Sequence, residues 1–194
     1  MIHYIKIKNF RSIKDEIELT FEAGRERNFR ENYVRNVAGL RLLRLGIIYG
    51  ANASGKSNVL KAIDYVRTFV LKKQDDKNNK TGRIPFLFDK DTMKQPSEFE
   101  ISFITNNRRY VYVLKLDDEK VVEEKLSVYI SKRPTEVFNR KDDNGVSIIS
   151  FNENKIKISQ AEKGEIEVKC LPNMSVFAAY NQVNTKIKEM EEAM

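Results

Sequence analysis

The chain has almost no cysteine or histidine: Cys170 and His3 stand alone among 194 residues. One cysteine cannot form an intrachain disulfide, and one cysteine with one histidine cannot furnish a zinc site of the usual His/Cys kind. Cys170 falls in the alternating run Ile166, Val168, Cys170, where a small buried apolar side chain is expected. His3, inside a first strand, reads as structural. No run approaches the roughly 18 uninterrupted apolar residues of a membrane-spanning helix. Met1-Ile2-His3-Tyr4-Ile5-Lys6 also lacks the apolar block and small-residue cleavage site of a secretory signal. A cytoplasmic location with no membrane partner is therefore expected. Missing too is an apolar strand ending in Asp-Glu: the two such pairs, Asp15-Glu16 and Asp118-Glu119, follow no run of four apolar residues.

What is present is a phosphate-binding loop. Residues Gly50-Ala51-Asn52-Ala53-Ser54-Gly55-Lys56-Ser57 fit GxxxxGKS, and the apolar run Leu45, Gly46, Ile47, Ile48, Tyr49 before them reads as a buried strand. Gly50 and Gly55 let the backbone turn tightly, so that the N–H groups of residues 53–57 converge on phosphate oxygens. The following helix adds its positive end, Lys56 can reach the β- and γ-phosphates, and the Ser57 hydroxyl is placed for Mg²⁺. Val59, Leu60, Ile63, Val66, Phe69 and Val70 recur at helical spacing and give one apolar face. ATP and Mg²⁺ are the expected ligands, held by Gly50, Asn52, Ala53, Ser54, Gly55, Lys56, Ser57 and Asn58.

At 41% hydrophobic content the chain can bury a core. Its net charge of +7 suits a partner carrying phosphate, but a nucleotide site needs only a few of those cations. Residues 1–44 hold ten Lys or Arg against six Asp or Glu, with Arg25, Arg27, Arg30, Arg35, Arg41 and Arg44 around a polar stretch. Two readings stand: a contact to nucleic-acid phosphates, or a solvated loop. No aromatic ladder or known DNA-binding motif accompanies these arginines.

Period-two alternation predicts strands at residues 2–7 and 17–21, joined by the turn Lys8-Asn9-Phe10-Arg11-Ser12-Ile13. Residues 73–97, rich in Lys, Asp and Asn, read as a flexible connector in which Pro85-Phe86-Leu87-Phe88 anchors locally. Beyond it, Phe99, Ile101 and Phe103, then Tyr110, Tyr112, Leu114 and Leu116, predict a hairpin, with Leu126, Val128 and Ile130 as a third strand. Shorter strands are expected at 136–139, 146–151, 155–159 and 165–170, separated by turns that include Asn144-Gly145. Residues 176–180, apolar on both faces, read as a central strand leading into a charged helix. The expected organisation is thus one domain in four parts. Residues 1–72 carry the first strands, phosphate loop and helix; 73–97 form the connector; 98–170 an antiparallel β-lobe with one wet face; and 171–194 a core strand and a helix start.

A strand ending in Lys-Asn-Phe-Arg-Ser, a second strand, then Ile-Tyr-Gly-Ala-Asn-Ala-Ser-Gly-Lys-Ser-Asn resembles the start of an ABC-type ATPase head of the RecF/SMC kind. It is most similar to prokaryotic AAA-type ATP-binding proteins related to the OLD family. The resemblance implies an α/β P-loop NTPase lobe with an antiparallel β-lobe, incomplete at the C-terminus, since the Ser-Gly-Gly signature and the Asp-Glu strand are missing. It places Arg11 and Ser12 beside the nucleotide. It makes Gln182 a sensor of γ-phosphate and Mg²⁺, with Asn181 as rival and a helix-capping segment as the plain alternative. It further implies two ATP molecules sandwiched between two protomers, hydrolysis releasing the clamp.

The expected function is therefore ATP and Mg²⁺ binding by one lobe of an ATP-driven dimerisation switch in DNA repair or phage defence, with Lys56 and Gln182 serving catalysis. The chain alone should bind nucleotide weakly and hydrolyse little. Two alternatives remain open: a regulatory ATPase controlling a separate toxin or nuclease effector without touching DNA, and a small-molecule kinase. Against the kinase, two strands and an insertion precede the phosphate loop.

Overall fold

Alternation of apolar and polar residues builds one sheet. The computed structural model describes residues 1–25, 30–143 and 146–194. Arg27, the side chain of Arg30 and the turn at Asn144-Gly145 lie outside the described residues. Strands β1 (Ile2–Lys8) and β2 (Ile17–Thr20) come first; helix α1 (Arg30–Tyr33) then leads into a separate ribbon of β3 (Val34–Val37) and β4 (Leu40–Leu43). Helix α2 (Lys56–Leu71) and the short α3 (Lys90–Lys94) precede β5 (Ser97–Thr105), β6 (Arg108–Leu116), β7 (Val121–Tyr129), β8 (Pro134–Asp143) and β9 (Val146–Phe151). Three helices close the chain: α4 (Gln160–Lys169), α5 (Val176–Tyr180) and α6 (Lys188–Ala193). The seven-stranded sheet has the order β2-β1-β5-β6-β7-β8-β9, with every adjacent pair antiparallel. The amino-terminal strands and the β-lobe are therefore one continuous sheet within an α/β chain.

One face of that sheet is dry. Ile5, Ile7, Phe99, Tyr110, Tyr112, Leu114 and Leu126 are buried in one cluster with Val66 and Phe69 of α2 and Val176 and Phe177 of α5. The other face is a cross-strand lattice of opposite charges: Lys8 to Glu98 at 3.0 Å, Lys115 to Glu98 at 3.3 Å and to Glu123 at 3.2 Å, and Lys125 to Glu136 at 3.1 Å. Such pairs on a wet surface each contribute at most about 1 kcal/mol, but together they favour one strand register. The β5–β6 turn uses Asn106 (φ 47°) and Asn107 (φ 57°), the residue type that tolerates left-handed backbone at both central positions of a tight hairpin.

The structure corrects four expectations. Residues 45–49 are neither strand nor buried: Ile47 is 77% and Tyr49 90% exposed, because among the described residues no strand lies alongside to satisfy the backbone. Residues 176–180 are α5, not a central strand. Their all-round burial looks the same in either conformation by pattern alone, and Ser175 decides it by accepting the Ala178 N–H at 3.0 Å as N-cap. Residues 165–170 belong to α4 and its cap. Ser159 and Glu162 form a capping box there, leaving Val168 86% exposed while Ile166 and Cys170, one turn apart, are buried. Residues 155–159 form no strand; the Asn152 carbonyl instead accepts the Lys155 and Ile156 N–H groups in a turn. On α2, Leu60 also departs from the expected apolar face, being exposed.

Residues 73–97, expected as a flexible connector, are anchored at several points. Thr81 N–H donates to Asp118 O at 2.9 Å and its hydroxyl to Asp117 O at 2.6 Å. The buried Arg83 donates to Asp118 Oδ1 at 2.7 Å, Gln95 O at 2.6 Å and Met93 O at 3.0 Å. Much of this segment hangs on Asn9, in the turn after β1. Its amide donates to Thr92 O at 2.7 Å, Gln95 O at 2.8 Å and Pro96 O at 3.2 Å, and its Oδ1 accepts the Phe86 N–H at 2.9 Å.

The far end of the core holds a buried ion pair. Glu124 and Arg140 are both fully buried, 3.7 Å apart. Glu124 accepts hydrogen bonds from the Tyr112 hydroxyl at 3.0 Å and from Val176 N–H, at the start of α5, at 2.9 Å. Arg140 donates to the carbonyls of Met174, Leu171 and Pro172 and to Ser147 Oγ. Sheet and carboxyl-terminal helices are joined through these two side chains.

Candidate functional site: the phosphate loop and the turn beneath it

The loop resolves into a helix start without a side-chain cap. Gly55 is the N-cap residue of α2, in left-handed conformation (φ 91°, ψ 1°), and it makes no side-chain cap hydrogen bond to the first turn. That turn carries no acidic residue. A helix leaves its first N–H groups without intrahelical acceptors, and here the positive end of a 16-residue helix faces the loop with nothing to neutralise it. Lys56 curls back so that Nζ donates to Gly50 O at 2.8 Å and Ala51 O at 2.7 Å, closing the loop around itself. Asn52, Ala53, Ser54 and Ser57 are exposed, with Ala53 at φ 64°. These donors, one lysine and one free-standing hydroxyl fit a polyphosphate with its Mg²⁺: the backbone N–H groups and Lys56 would hold phosphate oxygens, and Ser57 the metal.

The turn between β1 and β2 lies directly under the loop. Ser12 Oγ accepts a hydrogen bond from Asn58 Nδ2 at 2.7 Å. A side chain at Gly55 would place its Cβ 3.0 Å from Ser12 Oγ. Arg11, at φ 53°, donates its N–H to Ile84 O at 2.8 Å, and its guanidinium lies 5.6 Å from the centre of the Phe10 ring. The structure thus brings Ser12 and Asn58 together at the loop. Gly55→Ala is expected to destabilise the protein by about 1–2 kcal/mol through strained φ and crowding of Ser12, and to weaken ATP binding. Adding Ser12→Gly should restore only the crowding part, which thermal unfolding of the two variants measures.

Gln182 is not brought to the loop. Its Nε2 donates to Ala178 O at 2.9 Å and lies 3.7 Å from Met174 Sδ, which also receives the Gln74 N–H at 3.3 Å. Gln74 follows the carboxyl-terminal end of α2, and Ser175 donates to Val70 O at 2.7 Å near the same end. Gln182 is therefore placed near the opposite end of a helix about 24 Å long, at 1.5 Å per residue, from the loop. Its neighbour Asn181 is exposed and serves as the C-cap of α5.

An open cleft of about 520 Å³ adjoins the loop, with Ser54, Gly55 and Lys56 on one side and Ser12, Lys14, Asp15 and Tyr49 among its other walls. Lys14 pairs with Asp89, the N-cap of α3, which also accepts the Asp91 and Thr92 N–H groups. Lys14 first, and these N–H groups next, hold the Asp89 carboxyl down at about 2, so the pair is charged at any neutral pH. Motif and periodicity assigned no site role to Lys14 or Tyr49 and no anchoring role to Asn9. The one signal was Asn9 itself, since asparagine directly after a strand favours the left-handed backbone it adopts (φ 52°).

Among the described residues no helix is long and apolar enough to cross a membrane. No curated protein matches the chain. A family model described as "AAA domain, putative AbiEii toxin, Type IV TA system" matches residues 46–156, from the segment before the phosphate loop through β9. That span covers more than half of the chain and takes in the loop, α2 and five strands of the sheet, so this protein belongs to that AAA-domain family and carries its P-loop ATPase-like domain.

Proposed function

We propose that this chain is the nucleotide-binding lobe of an ATP-dependent dimerisation switch of the RecF/SMC/OLD type. The observation that carries the reading is the uncapped, acid-free start of α2 beside Gly55, with Lys56 folded over the loop and Ser12 fixed beneath it. Loop amides and Lys56 bind and orient the phosphates, and Ser57 offers its hydroxyl to Mg²⁺. A bound Mg²⁺ would neutralise charge on the phosphate oxygens. Positioning and electrostatic stabilisation are what these residues supply to phosphoryl transfer. No residue of this lobe is assigned to orient the attacking water, so weak binding with little turnover is expected.

Lys56→Ala should weaken Mg²⁺-ATP binding at least about tenfold, a loss of roughly 1.4 kcal/mol or more, in calorimetric titration. Unchanged affinity would overturn the nucleotide reading. A second reading, a regulatory ATPase that controls a separate effector, draws on the toxin–antitoxin wording of the family description. Co-purification of such an effector, released on ATP addition, would favour it over self-association.

A further inference from the structure

The two edges of the seven-stranded sheet differ in what guards them. At one edge β2 carries Glu18 and follows Asp15 and Glu16, and Glu22 just beyond it bridges to Leu42 of β4. At the other edge β9 reads Val-Ser-Ile-Ile-Ser-Phe, with no charged residue and no proline, and it pairs with β8 without a bulge. The other six strands of the sheet each carry at least one charged side chain. Charges, prolines and bulges are the usual protection of an open edge, and β9 has none of them. Val146 and Ile148, on its wet face, are 64% and 52% exposed.

Hydrogen-bond parity decides which groups that edge offers. The two-residue turn Asn106-Asn107 makes Thr105 and Arg108 a hydrogen-bonded pair. Counting alternate pairs from there through β6 and β7 makes Glu124 and Arg140 backbone partners, then Asn139 with Ser150 and Lys141 with Ile148. The Asn152 N–H donating to Val137 O at 3.3 Å fits the same parity. The backbone N–H and C=O groups of Ser147 and Ile149 therefore point away from β8, and among the described residues nothing bonds to them. A second copy of this strand, antiparallel about a two-fold axis at Ile148, sets Ser147 of each copy opposite Ile149 of the other. All these outward groups are then paired, in about four interchain hydrogen bonds. The same register keeps wet face with wet face: Ile148 meets its own symmetry mate as a non-hydrogen-bonded pair, Cα atoms about 4.5 Å apart, and Val146 faces Ser150. A shift of one residue would set wet face against dry. Two copies of a chain with net charge +7 repel, so contact between them favours a neutral strip, which β9 supplies.

We propose that β9 is the interface of a symmetric dimer of this chain, in which two sheets join edge to edge into one continuous sheet. The contact is closed, since each copy has a single β9 and none is left over. It is also small, so the association is weak. β9 lies five strands from β1, whose following turn supports the phosphate loop, a distance of about 24 Å at 4.8 Å per strand. The dimer is therefore independent of nucleotide and separate from the ATP-driven association proposed above.

The test is sedimentation velocity of the full chain without nucleotide, from about 10 μM to about 1 mM, where the species should shift from 22.6 kDa to twice that mass. Ile148→Lys sets two like charges opposite each other at the axis and should weaken association at least about tenfold. The position is half exposed, so the fold is kept. Ile47→Lys, in the exposed stretch before the phosphate loop, should dimerise as the parent does. Cross-linking tests the register without relying on a disruptive variant. Ile148→Cys should form an interchain disulfide under oxidised glutathione, because about 4.5 Å between Cα atoms lies within the span of that bond. Val146→Cys shares the face but lies about 14 Å from its own symmetry mate, and should cross-link at least about tenfold more slowly. Cys170 is buried and does not compete. A chain monomeric at about 1 mM, which would leave the edge to a different protein, would overturn the proposal. So would association of folded Ile148→Lys at parent strength, dimerisation that requires ATP, or equal cross-linking of the two cysteine variants.

Discussion

Arg140→Leu is expected to destabilise the protein by about 3–5 kcal/mol, and by more at pH 8 than at pH 5. The guanidinium is fully buried, and its removal strands three carbonyls, of Met174, Leu171 and Pro172, together with the Glu124 carboxylate. Burial pushes the Glu124 carboxyl up to about 7, against the opposing pull of Arg140 first and then of Val176 N–H and the Tyr112 hydroxyl. The folded protein therefore holds this proton to higher pH than the unfolded chain does, whose carboxyl titrates near 4.5. Between those two values the native state binds more protons, so stability falls as pH rises through the window, by about 3 kcal/mol in all at 1.36 kcal/mol per unit. Loss of Arg140 removes the largest opposing pull, extends the window above pH 7 and enlarges the deficit at pH 8. Urea unfolding of Arg140→Leu at both pH values tests this. An equal loss at pH 5 and pH 8 would show that Glu124 is not the group left exposed to the change. Glu124→Gln should flatten the pH dependence of the parent protein.

Asn9→Ala should be nearly as costly, about 3–4 kcal/mol, although it deletes only a small polar side chain. Asn9 is fully buried, and its amide serves three carbonyls and one N–H of residues 86–96. Truncation leaves these groups without partners in a dry site, at about 1–3 kcal/mol for each that stays unsatisfied. The left-handed backbone adds a further ~1 kcal/mol for alanine, which glycine would avoid. Asn9→Gly should thus fall about 1 kcal/mol short of the alanine loss, and Asn9→Asp should exceed it, because a carboxylate cannot donate to three carbonyls. Because Ser12 lies in the same turn, ATP affinity is expected to fall in parallel with stability. A variant with native stability would show that the turn is held by its main-chain bonds alone.

The parts of the structure that were legible in the sequence are those with a local cause. The hairpin at residues 97–116 was legible through the alternation of Phe99, Ile101 and Phe103 with polar residues and through the Asn106-Asn107 turn, and α2 through its glycine-bounded loop and apolar face. The parts that were not legible depend on what packs nearby. Residues 176–180 are uniformly apolar because they are enclosed on every side, which strand and helix cores both produce. Residues 165–170 misled because Ile166, Val168 and Cys170 alternate by coincidence, while the decisive Ser159 and Glu162 lie before that stretch. At the site, the loop and its contact with Ser12 and Asn58 follow from adjacent motifs. The distance of Gln182 from the loop is set by the path of α5 and the length of α2, which no short motif records.

Residues 45–49 have a kinetic consequence as well as a geometric one. An apolar stretch with free N–H and C=O groups is a template for another extended chain, and proteins normally shield such edges. Concentrated solutions of this chain should accordingly drift toward association through Ile47 and Tyr49, faster as the protein is warmed. The stretch runs straight into Gly50, whose carbonyl is held by Lys56 of α2, so the apolar arm and the phosphate loop are mechanically continuous. Any strand that pairs with this edge would quench its stickiness and stiffen the loop in one event, making solubility and nucleotide affinity rise together.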